Sequence, residues 1–566
     1  MTSDKRTISL LTNLFVKKGL CEIVLSPGSR NAPIIISFAQ HPDVKAVSVV
    51  DERSAAFFAL GMAQQKQRAV AIACTSGSAV LNYAPAIAEA YYRKIPLLIL
   101  TADRPSYLID VGDGQTIRQE NIFANFIKKS YTLPLEINSE EEKEKVNRLI
   151  NEAIDETRFP EPGPVHLNIP FDEPLYGLTD QPETGKVVEP IKKLPSVADA
   201  TRQKFLEHWR GSRKTLILAG EGEPSEKLNE ILVHLSGYQQ VTVMTETTSN
   251  LHSPAFMDEI DNLITVIPEA ELAEVQPDLL ITFGTSIVSK KIKKLLRKYP
   301  AKNHWHISPS GEKRDTYFCL SGVIPSDVAE FITGEKERLF EIKSNYRNFW
   351  QRHKAQVLKR GTAFLSGTGW CDLKVYEILF REIPEHTFLH LGNSTPVRYA
   401  QLFGSLPKFH YYSNRGVSGI DGQVSTAAGA AFACPEKINT IITGDLGFFY
   451  DSNALMNHNL TPNLKIIVIN NGGGDIFRFI PGPDASAQRE KFFAASHRWK
   501  AEMIAQAFDI CYFKAEDEAE LLSRIPELYA EDKRPALLEI FTREEENAQV
   551  LKDYFRFIRN STYSDL

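Results

Sequence analysis

Short apolar runs alternate along this chain with longer stretches whose apolar residues recur at helical spacing. In the first part of the chain the runs lie at 22–25, 46–50, 69–74 and 96–101. Apolar strands separated by amphipathic helices are typical of a parallel sheet whose faces are covered by helices. The pattern therefore predicts an α/β domain over residues 1–180.

The same alternation returns twice, and at 566 residues the chain is too long for a single hydrophobic core. Further strands are predicted at 215–220, 241–245, 278–283, 387–391, 439–443 and 464–470, with a basic helix at 289–298. A polar, proline-bearing segment at 178–196 lacks apolar periodicity and is predicted to be a linker. We expect a central α/β domain at 197–340 and a third at 360–566, and so a protein of three parallel-sheet α/β domains.

Two predicted strands, one in the first domain and one in the third, end in a turn of small residues that a helix follows. These turns are Ser26-Pro-Gly-Ser-Arg30 and Leu391-Gly-Asn-Ser394. In an open parallel sheet, ligands bind beyond the carboxyl ends of the strands, where backbone N–H groups at helix starts attract phosphate. We therefore expect a site shared between the first and third domains.

Two other strand ends carry oxygen ligands together with glycines. They are Thr443-Gly-Asp-Leu-Gly447 and Asn470-Asn-Gly-Gly-Gly474. Carboxylate, amide and backbone carbonyl oxygens suit Mg²⁺ held jointly by protein and diphosphate, and glycine lets the backbone approach phosphate closely. Either piece alone is also ordinary turn chemistry. The combination of the two favours a magnesium–diphosphate site.

Composition excludes some classes of function but does not by itself indicate a particular one. Hydrophobic residues make up 43% of the chain, charged residues 24%, and the net charge of -6 gives no reason to expect nucleic acid as a partner. The start of the chain lacks the apolar core of a signal peptide, and no apolar run is long enough for a membrane span. The six cysteines show no zinc spacing and are expected to be buried free thiols. We expect a cytoplasmic protein.

Gly444-Asp445 and Asn470-Asn471 lie at the ends of two successive predicted strands. Together they are similar to the signature of thiamine-diphosphate enzymes. The resemblance implies thiamine diphosphate and Mg²⁺, or Mn²⁺ in its place, as cofactors. It also implies that Asp445, Asn471 and the carbonyl of Gly473 bind the metal ion. Leu446 departs from the glycine that is usual in the signature.

Glu52 lies where a predicted strand ends and a helix of small residues begins. By the resemblance, its carboxyl group would bind N1′ of the cofactor's aminopyrimidine and favour the tautomer that removes the C2 proton. An acidic residue at a helix start is otherwise explained by the helix macrodipole. The magnesium motif favours the catalytic role.

More motifs resemble one narrower family, the 2-succinyl-5-enolpyruvyl-6-hydroxy-3-cyclohexene-1-carboxylate synthases of menaquinone biosynthesis. Besides the two small-residue turns, they are Asp51-Glu-Arg-Ser54, Thr75-Ser-Gly-Ser78, Thr101-Ala-Asp-Arg-Pro105, Gln115-Thr-Ile-Arg-Gln119, Ser413-Asn-Arg-Gly416 and Ser418-Gly-Ile-Asp-Gly422. The resemblance implies a transferase that decarboxylates 2-oxoglutarate and adds the succinyl carbanion equivalent to isochorismate. It further implies a homodimer or homotetramer with active sites at the subunit interfaces.

The family resemblance assigns substrate contacts, mostly cationic, as two dicarboxylate substrates require. On the isochorismate side they would be Ser29, Arg30, Arg104, Gln115 and Lys290. On the succinyl side they would be Lys291, Ser394 and Arg398, with Arg415 near the reacting centre. Glu52, Arg30 and Arg415 are the expected catalytic residues. A single arginine is otherwise most often a solvated surface pair, and 290–294 also fits an ordinary basic helix face.

The resemblance also supplies a cofactor pocket. Its residues besides Glu52 would be Gly392, Asn393, Ser394, Ser418, Ile420, Gly444, Asp445, Leu446, Gly447, Asn471, Gly473, Ile476 and Phe477. Ile420 would support the bent cofactor, and Phe477 and Ile480 would form an apolar wall beside the substrates. Core packing is the ordinary alternative for such apolar residues.

Two departures from the family pattern concern substrate affinity more than reaction class. Gly114 stands where the family often has asparagine, and Lys291 where it often has arginine.

Two other functions remain as alternatives to this synthase. The chain could be another thiamine-dependent decarboxylase or carboligase, or a non-catalytic cofactor-binding paralogue. A nicotinamide oxidoreductase is disfavoured because no Gly-x-Gly-x-x-Gly opens a first strand–helix turn.

Overall fold

A computed structural model describes residues 1–190, 196–474, 476–479 and 486–560. Within these ranges the backbone forms three parallel sheets flanked by helices, which confirms the predicted fold class. The predicted linker contains a short strand, Leu178–Thr179, which pairs antiparallel with Thr2–Ser3. The amide N–H groups of Gly185 and Lys186 donate to the side chains of Asn13 and Asn147. This segment therefore packs against the first domain before it reaches residue 190.

In the first sheet, the strand that comes first along the chain, Glu22–Leu25, lies between the second and the third. Across the sheet its strands are Lys45–Ser48, Glu22–Leu25, Val70–Cys74, Leu97–Asp103, Val165–Pro170 and Lys129–Thr132. Its helices are Arg6–Lys17, Ala32–Ala39, Glu52–Lys66, Ser78–Asn82, Ala84–Arg93 and Glu140–Glu156. The inner strands are buried because helices cover both faces.

The middle sheet has the same construction with one strand fewer among the described residues. Across the sheet its strands are Val241–Thr245, Thr215–Ala219, Leu279–Phe283, Asn303–Ile307 and Leu320–Ile324. Its helices are Asp199–Arg210, Glu226–Ser236, Ile260–Val266, Lys290–Lys298 and Val328–Glu335. A long helix, Tyr346–Ser366, leads from here to the third sheet.

The third sheet repeats the topology of the first. Across the sheet its strands are Phe409–Tyr412, Thr387–Leu391, Asn439–Gly444, Leu464–Asn470, Ala536–Phe541 and Cys511–Ala515. Its helices are Asp372–Glu382, Thr395–Ala400, Gln423–Ala433, Asp445–Tyr450, Ile476–Phe479, Glu502–Ala507, Glu518–Ala530 and Glu544–Asn560. The strands that carry the two oxygen-rich motifs are parallel neighbours, with Gly444 paired to Ile469. Both motifs therefore leave the sheet at the same edge.

The first and third domains pack through one helix from each. Helix Glu52–Lys66 lies against helix Gln423–Ala433 so closely that a Cβ on Gly61 would be 2.0 Å from the Thr426 carbonyl oxygen. A side chain at position 61 would push the two backbones apart. This backbone-to-backbone contact sets how the first domain meets the third.

Two further predictions concern the whole chain. All six cysteines are free, as predicted, but only Cys74 and Cys371 are buried; the other four are half-buried. Among the helices described, none combines the length and the apolar composition needed to cross a membrane.

Candidate functional site

The carboxylate of Asp445 joins the two oxygen-rich motifs. Asp445 follows its strand directly and is buried. One carboxylate oxygen accepts the Leu446 N–H at 2.6 Å, and the other accepts the N–H groups of Gly472 and Gly473, both at 2.9 Å. His497 Nε2 lies 3.3 Å from that second oxygen. The carboxylate therefore fixes the glycine turn that follows the neighbouring strand.

Asn471 offers an unused oxygen beside this carboxylate. Its Nδ2 donates to Asp372 Oδ2 at 3.0 Å, while its Oδ1 is buried without a hydrogen-bond partner in the part of the chain described. Gly473, with φ +151°, has a backbone conformation that side chains disfavour. An unpartnered amide oxygen next to a carboxylate suits a hard cation.

The atoms that could bind a metal ion at this edge are oxygens of different chemical types. Within the described residues, no group of three or more His, Cys, Asp or Glu side chains is arranged to hold a metal ion. A cation here would rely on one carboxylate, one amide oxygen and a backbone carbonyl, with diphosphate and water completing the octahedron that Mg²⁺ requires. The residues present fit Mg²⁺–diphosphate.

Asp372 was not among the residues predicted from the sequence. Its pKa is raised to about 6, chiefly by burial and also by the charge of Asp445, while hydrogen bonds from Thr542 and Asn471 act in the opposite direction. It begins helix Asp372–Glu382, distant in sequence from both motifs. No local pattern could have linked it to Asn471, because the contact depends on how the third sheet folds.

The predicted cofactor residues of two other loops lie side by side. Asn393 Nδ2 donates to the carbonyl oxygens of Asn414 and Gly419, at 2.6 and 2.7 Å. A Cβ on Gly447 would lie 3.9 Å from Ile420 Cβ, so Ile420 adjoins the turn that Asp445 begins. The structure thus brings the loops at 392–394 and 418–420 to the edge that carries Asp445.

Backbone strain coincides with predicted site residues. Ser394, Ser418 and Gln115 have φ values of +76°, +62° and +58°. Residues other than glycine rarely adopt this left-handed conformation, and such strain concentrates at functional sites.

Two arginines of the third domain, Arg398 and Arg415, lie close enough for the charge of one to affect the other. Arg415 Nη1 donates to Asn393 Oδ1 at 2.6 Å, but its Nε is buried and unpartnered among the described residues. Burial and the neighbouring charge of Arg415 together lower the pKa of Arg398 to about 10. Two neighbouring, desolvated guanidinium groups favour an anionic ligand.

A cavity of about 300 Å³ lies between the middle domain, the third domain and the last helix. Its walls include Lys290, Lys291, Arg398 and Phe555. Lys291 Nζ donates to Thr265 Oγ1 at 2.6 Å and lies 3.6 Å from the centre of the Phe555 ring. Burial lowers the pKa of Lys291 to about 8. Lys291 is therefore a half-buried cation of the cavity wall, whereas Lys290 is exposed.

The first domain contributes a second pair of arginines. Arg30 is buried and donates through Nη1 to the Phe171 carbonyl oxygen at 3.0 Å, and the Nε atoms of Arg30 and Arg104 are both buried without partners among the residues described. Burial lowers the pKa of Arg30, and the charge of Arg104 lowers it further. Gln115 Nε2 donates to the Ser76 carbonyl oxygen at 3.2 Å, and Ser29 is exposed.

Glu52 is the first residue of its helix and is half-buried. Burial raises its pKa, and the charge of Asp51 adds to the rise. In a single chain, over the residues described, no hydrogen bond or ion pair joins Glu52 to Asp445 or Asn471. Its neighbour Arg53 donates to the Tyr450 carbonyl oxygen at 2.9 Å. The start of the Glu52 helix thus lies at the end of the helix that Asp445 begins.

The remaining residues predicted for the cofactor pocket and the apolar wall, Ile476, Phe477 and Ile480, are only partly described. Ile476 is buried, and Phe477 packs beside Phe493 with ring centres 5.9 Å apart. Ile480 lies outside the described residues.

Comparison with known proteins gives consistent matches. Residues 6–123 match the thiamine pyrophosphate enzyme, N-terminal TPP binding domain, and residues 392–540 match the corresponding C-terminal TPP binding domain. Three relatives are each named 2-succinyl-5-enolpyruvyl-6-hydroxy-3-cyclohexene-1-carboxylate synthase. The protein from Christiangramia forsetii is 42% identical over 97% of this chain and 98% of its own. The protein from Flavobacterium johnsoniae is 43% identical over 95% of this chain and 96% of its own. The protein from Porphyromonas gingivalis is 39% identical over 99% of this chain and 98% of its own.

Proposed function

The chain belongs to the 2-succinyl-5-enolpyruvyl-6-hydroxy-3-cyclohexene-1-carboxylate synthase family of thiamine-diphosphate enzymes, and from this premise we propose the reaction, the roles of its residues and its assembly. The reaction is the decarboxylation of 2-oxoglutarate and the conjugate addition of the succinyl carbanion equivalent to isochorismate. The observation that carries the proposal is the buried, unpartnered Asn471 oxygen beside the Asp445 carboxylate.

Asp445, Asn471 and the Gly473 carbonyl would hold Mg²⁺, or Mn²⁺ in its place. The turns at 392–394, 418–420 and 444–447 would surround the diphosphate and thiazolium, and Ile476 would pack nearby. When bound, thiamine diphosphate supplies the electron sink for loss of carbon dioxide and for the new carbon–carbon bond. Asp445 and the backbone amides around it would keep the metal and diphosphate in one geometry.

Glu52 would hold a proton at N1′ of the cofactor's pyrimidine. Its half-buried carboxyl group has a raised pKa, so it retains a proton to higher pH than an exposed glutamate does. A carboxyl group with a raised pKa is a better proton-exchange partner than an exposed glutamate is. The helix packing around Gly61 would keep the carboxyl group in place.

The four arginines would orient the substrates. Arg30 and Arg104, with Ser29, Gln115 and Lys290, would bind isochorismate, and Arg398, with Lys291 and Ser394, would bind the succinyl carboxylate. Arg415 would lie at the reacting centre. The unpartnered buried Nε atoms of Arg30, Arg104 and Arg415 support this assignment, because buried donors require acceptors. Phe477 would exclude water from the new bond.

We propose a homodimer or homotetramer in which each active site uses two subunits. Val50, Tyr450 and Trp499 are each more than half exposed. Val50 lies next to the Glu52 helix, and Trp499 stacks on His497 beside Asp445. Exposed apolar side chains around both halves of a site are typical of an interface. A cytoplasmic location completes the proposal.

The test is an incubation of the protein with 2-oxoglutarate labelled with ¹³C at C1, isochorismate, thiamine diphosphate and Mg²⁺. We expect labelled carbon dioxide and a product whose mass is isochorismate plus an unlabelled succinyl semialdehyde unit. Labelled carbon dioxide without that adduct would indicate a different decarboxylase or carboligase. Absence of both would indicate a non-catalytic paralogue.

A further inference from the structure

The loop that carries Arg415 is fixed by all three domains. Ser286 of the middle domain donates through its hydroxyl to the Arg415 carbonyl oxygen at 2.7 Å. Asn393 of the third domain accepts from the Arg415 side chain at 2.6 Å. The next two residues, Gly416 and Val417, are held from the first domain by Glu89.

Glu89 binds two consecutive backbone amides with one carboxylate. Its Oε1 accepts the Gly416 N–H at 2.8 Å and its Oε2 accepts the Val417 N–H at 2.7 Å. The side chain is fully buried on helix Ala84–Arg93. Burial raises the pKa of Glu89 to about 7, against the charge of Arg93 and the two backbone hydrogen bonds, which lower it. In its ionised form the carboxylate accepts hydrogen bonds that are stronger than neutral ones, so it then holds the loop more firmly than a neutral side chain could.

The negative charge of Glu89 lies close to a positive charge, that of Arg93. Arg93 Nε lies 3.8 Å from Glu89, and Arg93 Nη2 lies 2.9 Å from Glu221 of the middle domain. The helix also approaches the loop closely, since a Cβ on Gly416 would lie 2.6 Å from the Glu89 carbonyl oxygen. The contact therefore depends on a carboxylate at position 89 and on the absence of a Cβ at position 416.

We propose that Glu89 is a positioning residue for Arg415. This inference rests on the proposed role of Arg415 at the reacting centre. Ser286 and Glu89 fix the backbone at and just after Arg415, and Asn393 takes one terminal nitrogen of its guanidinium, which leaves Nε for the substrate. Glu89 itself touches neither substrate nor cofactor in this arrangement and acts through the loop.

The role is distinguishable from a purely structural link between domains. A structural link would lower stability and affect all ligands alike. A positioning role would lower kcat for the joined product while the affinities for thiamine diphosphate and Mg²⁺ stay at wild-type values, because a misplacement of about 1 Å reduces rates by about 10²-fold.

The experiment compares Glu89→Gln and Glu89→Ala with Glu152→Gln, an exposed glutamate of the same domain, in the holoenzyme. For Glu89→Gln, which keeps one acceptor, we expect a roughly tenfold loss of kcat, and for Glu89→Ala a loss of about 10²-fold. Amide hydrogen exchange should accelerate at Gly416 and Val417 in both variants. Glu152→Gln should match wild type.

Wild-type kcat in both Glu89 variants would overturn the proposal, as would an equal loss of cofactor affinity. Gly416→Ala, which leaves Glu89 intact and displaces the loop, should reproduce the loss of kcat if the glutamate variants fail to fold; full activity in Gly416→Ala would overturn it. A wild-type protein that makes no product would instead refute the proposed function, and the exchange rates at Gly416 and Val417 would still report the contact.

Discussion

The amide nitrogen of Asn471 lies 3.0 Å from Asp372 Oδ2, and this contact determines which atom of Asn471 is free. An ionised carboxylate can only accept hydrogen bonds, so the amide nitrogen must face it. The amide oxygen is then left buried and unpartnered among the described residues. Asp372 thereby orients the atom that we assign to the metal ion.

We expect Asp372→Asn to weaken Mg²⁺ binding about tenfold in the presence of thiamine diphosphate, since groups that orient metal ligands contribute about 10–100-fold to affinity. Neutral asparagine can present either its oxygen or its nitrogen to Asn471, so the ligand atom loses its fixed direction. Calorimetric titration with Mg²⁺ measures the change. Asp451→Asn, a buried aspartate of the same domain whose carboxylate binds Ser425, should keep wild-type affinity. Equal affinities in wild type and Asp372→Asn would exclude the orienting role.

The pKa of Lys291 predicts how substrate affinity depends on pH. Its ammonium group is charged below its pKa of about 8 and neutral above it. If it binds the succinyl carboxylate, KM for 2-oxoglutarate should be level below pH 7 and rise as the pH passes about 8. Lys291→Arg should remove the rise, because the guanidinium group stays charged.

Steady-state kinetics between pH 6 and 9.5 test this dependence. The matched control is Lys298→Arg, an exposed lysine at the other end of the same helix, which should keep the wild-type profile. A wild-type KM that stays level across the range would place Lys291 outside the substrate site.

The helix contact at Gly61 predicts a loss of stability on adding one methyl group. We expect Gly61→Ala to lower the free energy of unfolding by about 2–3 kcal/mol, since the new Cβ meets backbone that cannot move aside. Gly334→Ala, also within a helix but with no atom within 4 Å of the new Cβ, should change stability by less than about 1 kcal/mol. Urea unfolding measures both, and equal midpoints would contradict the close contact.

Much of the fold could be predicted from hydrophobic patterning. The predicted strands at 22–25, 241–245, 387–391 and 464–470 match the observed bounds. Strands with polar residues inside were missed. Val165–Pro170 carries His166 and Asn168, whose side chains hydrogen-bond the Thr101 hydroxyl inside the domain. Polar residues of such a buried network interrupt the apolar run from which a strand is predicted.

The site could be predicted where its residues directly follow neighbouring strands of one sheet. Asp445 and Asn471 follow adjacent strands, so topology alone brings them to one edge. Glu89 and Asp372 were missed because each acts on a loop distant in sequence. In the assembly that we propose, the relation between Glu52 and the Asp445 edge depends on a second subunit, which a pattern in one chain does not contain.

The proposed assembly, in which two subunits share each site, predicts complementation between inactive variants. Glu52→Gln and Asp445→Ala each inactivate a different half of the site, so a mixed dimer contains one site with both changes and one without either. Random co-assembly should restore about a quarter of wild-type activity. Activity of subunits mixed after brief unfolding and refolding measures this recovery. If each chain builds its own site, the mixture should stay as inactive as its components.

Hydrogen–deuterium exchange at C2 of bound thiamine diphosphate tests the central claim most directly. The measurement compares wild type with Glu52→Gln, both saturated with cofactor and Mg²⁺. Because a positioned acid–base group contributes about 10²–10⁴-fold, exchange in Glu52→Gln should be slower by about 10²-fold or more while the fold is kept. Exchange at the wild-type rate in Glu52→Gln would contradict the account.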